Sequence, residues 1–458
     1  MPFVNREDEL QQLERWWARS GGALGLVWGR RRVGKTALLQ RFAEGRRAVF
    51  HTATGRPVPD ELRVLSKAAG PLLAYGIRDL AARPFADWAD AFEALASAAE
   101  AGPLLVVIDE FPELLAIVPE LPSVLRAIWD RLQPRTQLKL LLSGSAVRTI
   151  EAMQEQRAPL YGRLDLTLLL HPFRPHEAAK MLPALKPADR ALVWGLVGGV
   201  PLYLEWWDQR LNLRQNLAEL ACTPGGRLLT EGSFLLATEG DLGGLGRRVL
   251  FAIAAARTKH NEIADAVGAD PTRTLERLVD LRLVERVTPV TEEPSRTRRK
   301  IYRIADNFLA FWLSVLDRYR AEIDRGLGRS ILPVLISDLD DHLGPRWEEA
   351  FRLHLRRLAE LNELGEGIVA VGPFWTAAEN PVEIDAVALA GRDRSAAVVG
   401  EAKWARQVDG ATIRRELERK AESLPKVRGD LRFAVCARER VARPTEVLAI
   451  TAAEIFSG

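Results

Sequence analysis

Two cysteines in 458 residues, Cys222 and Cys436, exclude a disulfide framework and a cysteine zinc site. The six histidines, at 51, 171, 176, 260, 342 and 354, fall at no metal-ligand spacing. No apolar run approaches the ~20 residues that cross a bilayer. The start, Met1-Pro-Phe-Val-Asn-Arg-Glu-Asp-Glu-Leu10, is charged and reads as no signal peptide. A cytoplasmic protein with no membrane partner is expected. Net charge is only +3, too small to imply nucleic-acid binding by itself. Lysine is scarce: ten of the 64 basic residues. A lysine inside a motif therefore carries extra weight. What is plentiful is core material, 47% hydrophobic residues beside 27% charged ones, with room for about three domains.

The run Gly29-Arg-Arg-Arg-Val-Gly34-Lys35-Thr36 fits the phosphate-loop pattern. It follows an apolar stretch, Ala23–Trp28, and precedes a helical one, Ala37–Phe42. Glycines let backbone N–H groups turn toward phosphate oxygens, and the helix start adds a favourable dipole. Lys35 would reach the β- and γ-phosphates of ATP, and the Thr36 hydroxyl would ligate Mg²⁺.

A second strand, Leu104-Leu-Val-Val-Ile-Asp109-Glu110, is a continuous apolar run ending in acids. Asp109 would hold Mg²⁺, directly or through water, and Glu110 would orient or deprotonate the attacking water. A third strand, Gln137–Leu142, ends in Ser143-Gly-Ser145, where Ser143 could sense the γ-phosphate. Arg163 follows in Pro159-Leu-Tyr-Gly-Arg163, placed to reach a γ-phosphate of its own or a neighbouring subunit.

The middle of the chain alternates helical patterns (175–181, 188–196, 203–220) with Pro/Gly breaks. After it come a helix over 247–256, a second over 262–267 capped by Asn261, and a third opened by Asp270-Pro271. Strands at 283–287 and 301–304 complete a helix-turn-helix with a hairpin wing. Its candidate DNA contacts are Arg273, Arg277 and Arg282, with the basic tip Ser295–Lys300.

Taken in order, Phe3–Leu10, Gly29–Thr36, Ile108–Glu110, Leu142–Ser145, Leu160–Arg163 and Gly198–Pro201 resemble the archaeal-type ATPases of the AAA+/STAND group. The resemblance covers roughly residues 1–310. It implies a P-loop core with an additional strand, a helical lid and a winged helix. It also implies an arginine finger at Arg163 and a nucleotide-sensing lid motif at Gly199-Val-Pro201.

Beyond an aromatic helical connector (306–345), a new domain is expected after Gly344-Pro345, opening with a helix over 346–361. Three strand patterns follow, at 367–371, 382–389 and 396–404. They carry Glu383-Ile-Asp385 and Glu401-Ala-Lys403. Strand residues i and i+2 share a face, and a hairpin centred near Asp393 brings Asp385 close to Glu401. Two carboxylates suit Mg²⁺, and a lysine would stabilise developing phosphate charge. Glu401 and Lys403 follow a buried-looking run, Ala396–Gly400, where charges need a reason.

This arrangement resembles the PD-(D/E)XK nuclease superfamily, and also a C-terminal domain of unknown function fused to archaeal-type ATPases. In that domain Glu-x-Lys is followed by tryptophan, here Trp404. By the resemblance Glu348 or Glu349 is a helix-borne acid, Asp385 and Glu401 are metal ligands, and Lys403 is catalytic. Ile384 stands where the pattern has proline.

The expected protein is multidomain α/β. It has a P-loop (ASCE/AAA+-like) parallel-sheet core (1–171), helical lid (172–245), winged helix (246–305), connector (306–345) and restriction-endonuclease-like domain (346–458). It would be an ATPase whose nucleotide state controls a Mg²⁺-dependent domain directed at nucleic acid, DNA foremost, and it could act as a homo-oligomer. The alternatives are a STAND-type signalling switch with an inactive nuclease fold, and a nucleotide-responsive DNA-binding regulator.

Overall fold

The structure, a computed structural model, describes residues 3–73, 79–145, 147–238, 242–377 and 380–457. The chain divides into two compact units, 1–171 and 172–458.

The first unit is built on five strands: β1 (Ala23–Trp28), β2 (Ala48–Thr52), β3 (Leu104–Asp109), β4 (Leu138–Gly144) and β5 (Leu166–Leu169). They run parallel in the order β2-β3-β4-β1-β5. Every residue of β1, β3 and β4 is buried, as expected of parallel strands covered on both faces. Side chains alternate between two cores. Ala23, Val27, Leu105 and Val107 meet the helices Glu7–Trp17 and Lys35–Ala43. Leu24, Leu26, Val106 and Ile108 meet Val58–Leu73, Trp88–Ala98 and Leu121–Leu132. Strand β4 lies between β1 and β3. It is the additional strand that separates the phosphate-loop strand from the acid strand.

The second unit opens with five helices, where three were expected: Pro175–Met181, Pro187–Val197, Pro201–Trp206, Leu213–Leu220 and Arg227–Thr238. The expected helix 203–220 is broken in two. The Asn212 side chain accepts the Gln215 N–H at 2.9 Å and starts a new helix in a capping box. Three of the five helices begin on proline, which fits the first turn. Next come Gly243–Ala254, His260–Val267, Thr272–Asp280 and an antiparallel hairpin of β6 (Val284–Val287) and β7 (Ile301–Ile304). Asn261 does not cap its helix but sits inside it, because the helix starts two residues earlier, at His260, and Lys259 holds the cap position. Pro271, not Asp270, is the N-cap of the third helix. Asp270 still accepts the Thr272 N–H at 3.0 Å.

No break falls at Gly344-Pro345. One helix runs from Leu339 to Glu360 straight through both. An internal proline removes a backbone hydrogen bond. The buried stripe Leu339, Leu343, Trp347, Phe351 and Leu355, spaced one every four residues, carries the helix past it.

Beyond that helix lies a five-stranded mixed sheet in the order β14-β12-β10-β9-β8. Its strands are β8 (Ile368–Trp375), β9 (Glu383–Ala390), β10 (Ser395–Lys403), β12 (Val427–Ala437) and β14 (Leu448–Ile450). Two short strands, β11 (Gln407–Asp409) and β13 (Arg440–Ala442), pair beside it. β8, β9 and β10 are antiparallel neighbours, whereas β12 and β14 add in parallel. Val398 and Ala402 pack with Phe351 and Leu355 of the long helix. Val399 and Val435 pack with Ile413 and Leu417 of the helix Gly410–Ala421. The sheet is thus covered on both faces.

Candidate functional site

The phosphate loop is shaped by its glycines. Gly29 has φ 151°, and a Cβ there would lie 2.4 Å from the Leu170 carbonyl oxygen. Gly34 has φ 93° and begins the helix Lys35–Ala43. Both conformations resist other residues. Arg6, from the opening Asn-Arg-Glu motif, braces the loop from its buried position. Its Nη2 donates to the Val33 and His171 carbonyls, both at 2.8 Å. Lys35 is buried, and its Nζ donates to the carbonyls of Gly29 and Arg30, each at 3.0 Å.

The acid strand meets this loop. The Thr36 hydroxyl donates to Asp109 Oδ2 at 2.6 Å, so the two expected Mg²⁺ ligands already touch. Among the described residues, Asp109 Oδ1 is buried without a hydrogen-bond partner, and so is the Ser143 hydroxyl at the end of β4. Orphaned buried polar atoms at the carboxyl ends of parallel strands fit a site that a nucleotide and its cation complete. Glu110 has φ 51°, the left-handed region, and both its carboxylate oxygens accept from the Ser145 hydroxyl, at 3.0 and 2.8 Å. Arg163 forms a bidentate pair with Asp130, at 2.6 and 2.7 Å, and donates to the carbonyls of Pro159 and Tyr161.

The second cluster lies where β9 and β10 leave their hairpin. Gly400 pairs with Ala386, and the next turn of the ladder sets Asp385 beside Glu401. The Ala402 N–H donates to Asp385 Oδ2 at 2.8 Å. Burial, then the charges of Glu348 and Glu401, push the Asp385 carboxyl up to about 7. Burial likewise raises Glu348 against the pull of Arg352. Glu401 is buried, and its Oε1 accepts from Lys403 Nζ at 2.7 Å. Glu383 lies at the exposed start of β9.

The two helix acids separate cleanly. Burial would raise Glu349, but Arg303, Arg352 and Arg356 hold it well below the usual carboxylate range. Glu348 faces Asp385 electrostatically and touches Arg352 at 3.6 Å.

Sequence reasoning missed Lys420, on the last turn of the helix Gly410–Ala421. Its Nζ donates to both oxygens of Glu401, at 3.0 and 2.8 Å. No short motif links residues 403 and 420, and only the packing of that helix on β10 brings them together. Three carboxylates are the right donors for Mg²⁺. Among the described residues, however, no group of three or more His, Cys, Asp or Glu side chains is arranged to hold a metal ion as it stands.

The expected basic wing tip is engaged elsewhere. Arg299 pairs with Glu292 and donates to the Trp375 carbonyl of β8 at 2.9 Å, and Arg296 pairs with Glu293 at 3.1 Å. The Val290 N–H donates to the Pro373 carbonyl at 2.8 Å. The loop between β6 and β7 is therefore anchored on the C-terminal sheet at Val290 and Arg299, while residues 293–296 and Arg298 stay exposed. No helix among the described residues is long and apolar enough to cross a membrane.

Residues 3–206 match an ATPase domain found predominantly in Archaea. Residues 312–417 match a family of archaeal and bacterial proteins of unknown function. Over 431 residues, 92% of each chain, the protein is 27% identical to an uncharacterized protein of Methanocaldococcus jannaschii. A stretch of 45 residues, 10% of this chain and 76% of the other, is 49% identical to an uncharacterized ATP-binding protein of the same organism. A Walker-type ATPase of Pyrococcus abyssi has a similar fold, with a TM-score of 0.53 at 20% identity over 68% of this chain and 96% of that one. The archaeal ATPase domain is matched across a loop and acid strand built as nucleotide chemistry requires, so residues 3–206 carry a P-loop ATPase domain, and a mostly-sheet C-terminal region lies further along the chain.

Proposed function

We propose that ATP hydrolysis in the first unit controls a nuclease-like activity of the C-terminal domain toward nucleic acid, DNA foremost. In the ATPase site Gly29, Gly34 and Lys35 hold the phosphates, and Thr36 and Asp109 hold Mg²⁺. Glu110 orients the attacking water and Ser143 senses the γ-phosphate. Arg163 would act as a finger after leaving Asp130, and supply by a neighbouring copy makes the protein a homo-oligomer. Residues 172–245 are read as a lid and 246–305 as a winged helix, with Arg273, Arg277 and Arg282 as its candidate DNA contacts.

One observation carries the nuclease reading: Glu348, Asp385, Glu401 and Lys403 converge, and burial together with the neighbouring carboxylates raises the Asp385 carboxyl to about 7. A buried cluster of like charges calls for a cation. Glu348, Asp385 and Glu401 would hold Mg²⁺, which when bound supplies a water of lowered pKa and neutralises phosphate charge. Lys403, half-exposed at the strand end, would face the scissile phosphate and stabilise its developing charge.

The test is cleavage of plasmid, linear duplex, single-stranded DNA and RNA with Mg²⁺ or Mn²⁺, with and without ATP, beside Lys403→Ala. Metal-dependent cutting lost in the variant supports the reading. If folded, ATP-binding protein cuts no substrate, the nuclease reading fails. A second reading, a STAND-type assembly switch with an inactive nuclease fold, draws on the two lysines that already saturate Glu401. It predicts an ATP-dependent change of oligomeric state and no cutting.

A further inference from the structure

Glu401 is a buried carboxylate with both oxygens occupied by ammonium groups. Lys403 Nζ lies 2.7 Å from Oε1, and Lys420 Nζ spans Oε1 and Oε2 at 3.0 and 2.8 Å. The side chain of Glu401 is 5% exposed, so these charge-assisted bonds are stronger than exposed ones. The two lysines also differ in origin. Lys403 is two residues from Glu401 on the same strand, and its side chain is half-exposed. Lys420 comes from another element, the helix Gly410–Ala421, and reaches in on a flexible four-carbon stem.

Direct ligation by Mg²⁺ needs a carboxylate oxygen at ~2.0–2.1 Å in near-octahedral geometry. An ammonium bridging both Glu401 oxygens fills that approach. Resting on the metal-dependent reading above, we propose that Lys420 is a built-in competitor for the divalent cation: it latches Glu401, and the site takes metal only when Lys420 swings away.

A ligand that competes with an internal group binds more weakly by the fraction of time the group is away. Removing the latch therefore tightens metal binding. The swing also gives Lys420 a second position, toward phosphate oxygens that approach the half-exposed Lys403, so a polyanion favours the released state.

The experiment is Mn²⁺ binding to the full, nucleotide-free chain. It is followed by titration calorimetry and by the loss of the free-Mn²⁺ electron paramagnetic resonance signal. Glu401→Gln isolates the portion of binding that belongs to this site. Lys420→Met should bind that portion at least tenfold tighter than the parent. Lys420→Arg, which keeps the cation, should stay within about threefold. Lys426→Met removes an equal charge from an exposed position and should change little. Melting curves confirm that each variant is folded. If Lys420→Met binds no tighter, or Lys426→Met gains as much, the latch is wrong while the metal site stands. If no variant shows Mn²⁺ binding sensitive to Glu401→Gln, the metal-dependent reading itself falls and the latch with it.

Discussion

The Ser145 hydroxyl bridges the two carboxylate oxygens of Glu110, at 3.0 and 2.8 Å, across the carboxyl ends of adjacent strands β4 and β3. Glu110 sits in left-handed backbone at φ 51°, which costs roughly 1 kcal/mol for a residue with a Cβ. The chain keeps that cost because it turns the carboxylate toward β4. A hydrogen bond to a charged group is worth about 1.5 kcal/mol or more, which is roughly tenfold in rate. Ser145→Ala should therefore lower kcat for ATP about tenfold while KM changes less than about twofold. A matching rise in KM with kcat intact would mean that Ser145 serves binding, not positioning.

At Gly400 the Phe351 ring of the long helix packs directly on the backbone of the C-terminal sheet. A Cβ at this position would meet the Phe351 ring at 2.6 and 2.8 Å and the Ala434 carbonyl at 3.2 Å. The ring is fully buried and has no space to retreat. Gly400→Ala should destabilise the second unit by about 1–3 kcal/mol, seen as a lower denaturant midpoint. Because Glu401 adjoins it, the same variant should bind Mn²⁺ more weakly. An unchanged midpoint would show that the helix can move away from the sheet.

The nucleotide site was legible because its information is local. Gly29, Gly34, Lys35 and Thr36 lie within one turn, and the apolar runs of β1, β3 and β4 each announce a strand. The hairpin that brings Asp385 toward Glu401 was equally legible, since period-two spacing and one turn determine it. What escaped depends on contacts distant in sequence. Lys420 reaches Glu401 only because its helix packs on β10. What distinguishes Glu349 from Glu348 is its pairing with Arg303, 46 residues upstream on the hairpin. The loop between β6 and β7 reads as a solvated basic tip, yet Glu292 and Glu293 within it neutralise Arg299 and Arg296, and β8 receives it. Proline at 345 reads as a helix stop, but a buried stripe with four-residue spacing overrides it.

Three histidines give the second unit a defined acid response. Burial, reinforced by nearby arginines, lowers His342 to about 3 and His176 and His354 to about 4. His342 is the clearest case, with Nε2 3.1 Å from the Gly195 carbonyl and Arg346 as its charged neighbour. In the unfolded chain each titrates near 6.5. Below that value the unfolded state binds more protons, so stability falls as the pH is lowered. The contribution is complete above about 6.5 and is lost progressively as pH drops toward 3–4. Each should cost on the order of 1 kcal/mol by pH 5. The melting temperature should fall between pH 7 and 5, and His342→Gln should flatten that slope. A slope unchanged by the substitution would assign the acid response to other groups.

Glu348 and Glu349 are neighbours with opposite expected roles, and the pair offers a sharp test of the acidic cluster. Glu349 binds Arg303 at 2.7 Å and Arg352 at 2.9 Å, joining the β6–β7 hairpin to the long helix. Arg303 also pairs with Glu285. Removing the carboxylate strands two largely buried guanidinium groups, and breaking a buried pair from one side costs about 3–5 kcal/mol. Glu349→Gln should therefore lower the melting temperature by several degrees. Glu348 does the reverse work: its charge adds to the load on Asp385, and its own carboxyl is raised by burial. Glu348→Gln removes that repulsion, so stability should hold or rise by up to about 1 kcal/mol, while the Glu401-dependent Mn²⁺ binding weakens at least tenfold. The contrast is what matters. If Glu348→Gln unfolds the unit and Glu349→Gln spares it, the helix-borne acid of the cluster is Glu349, and the arginine network is a bystander.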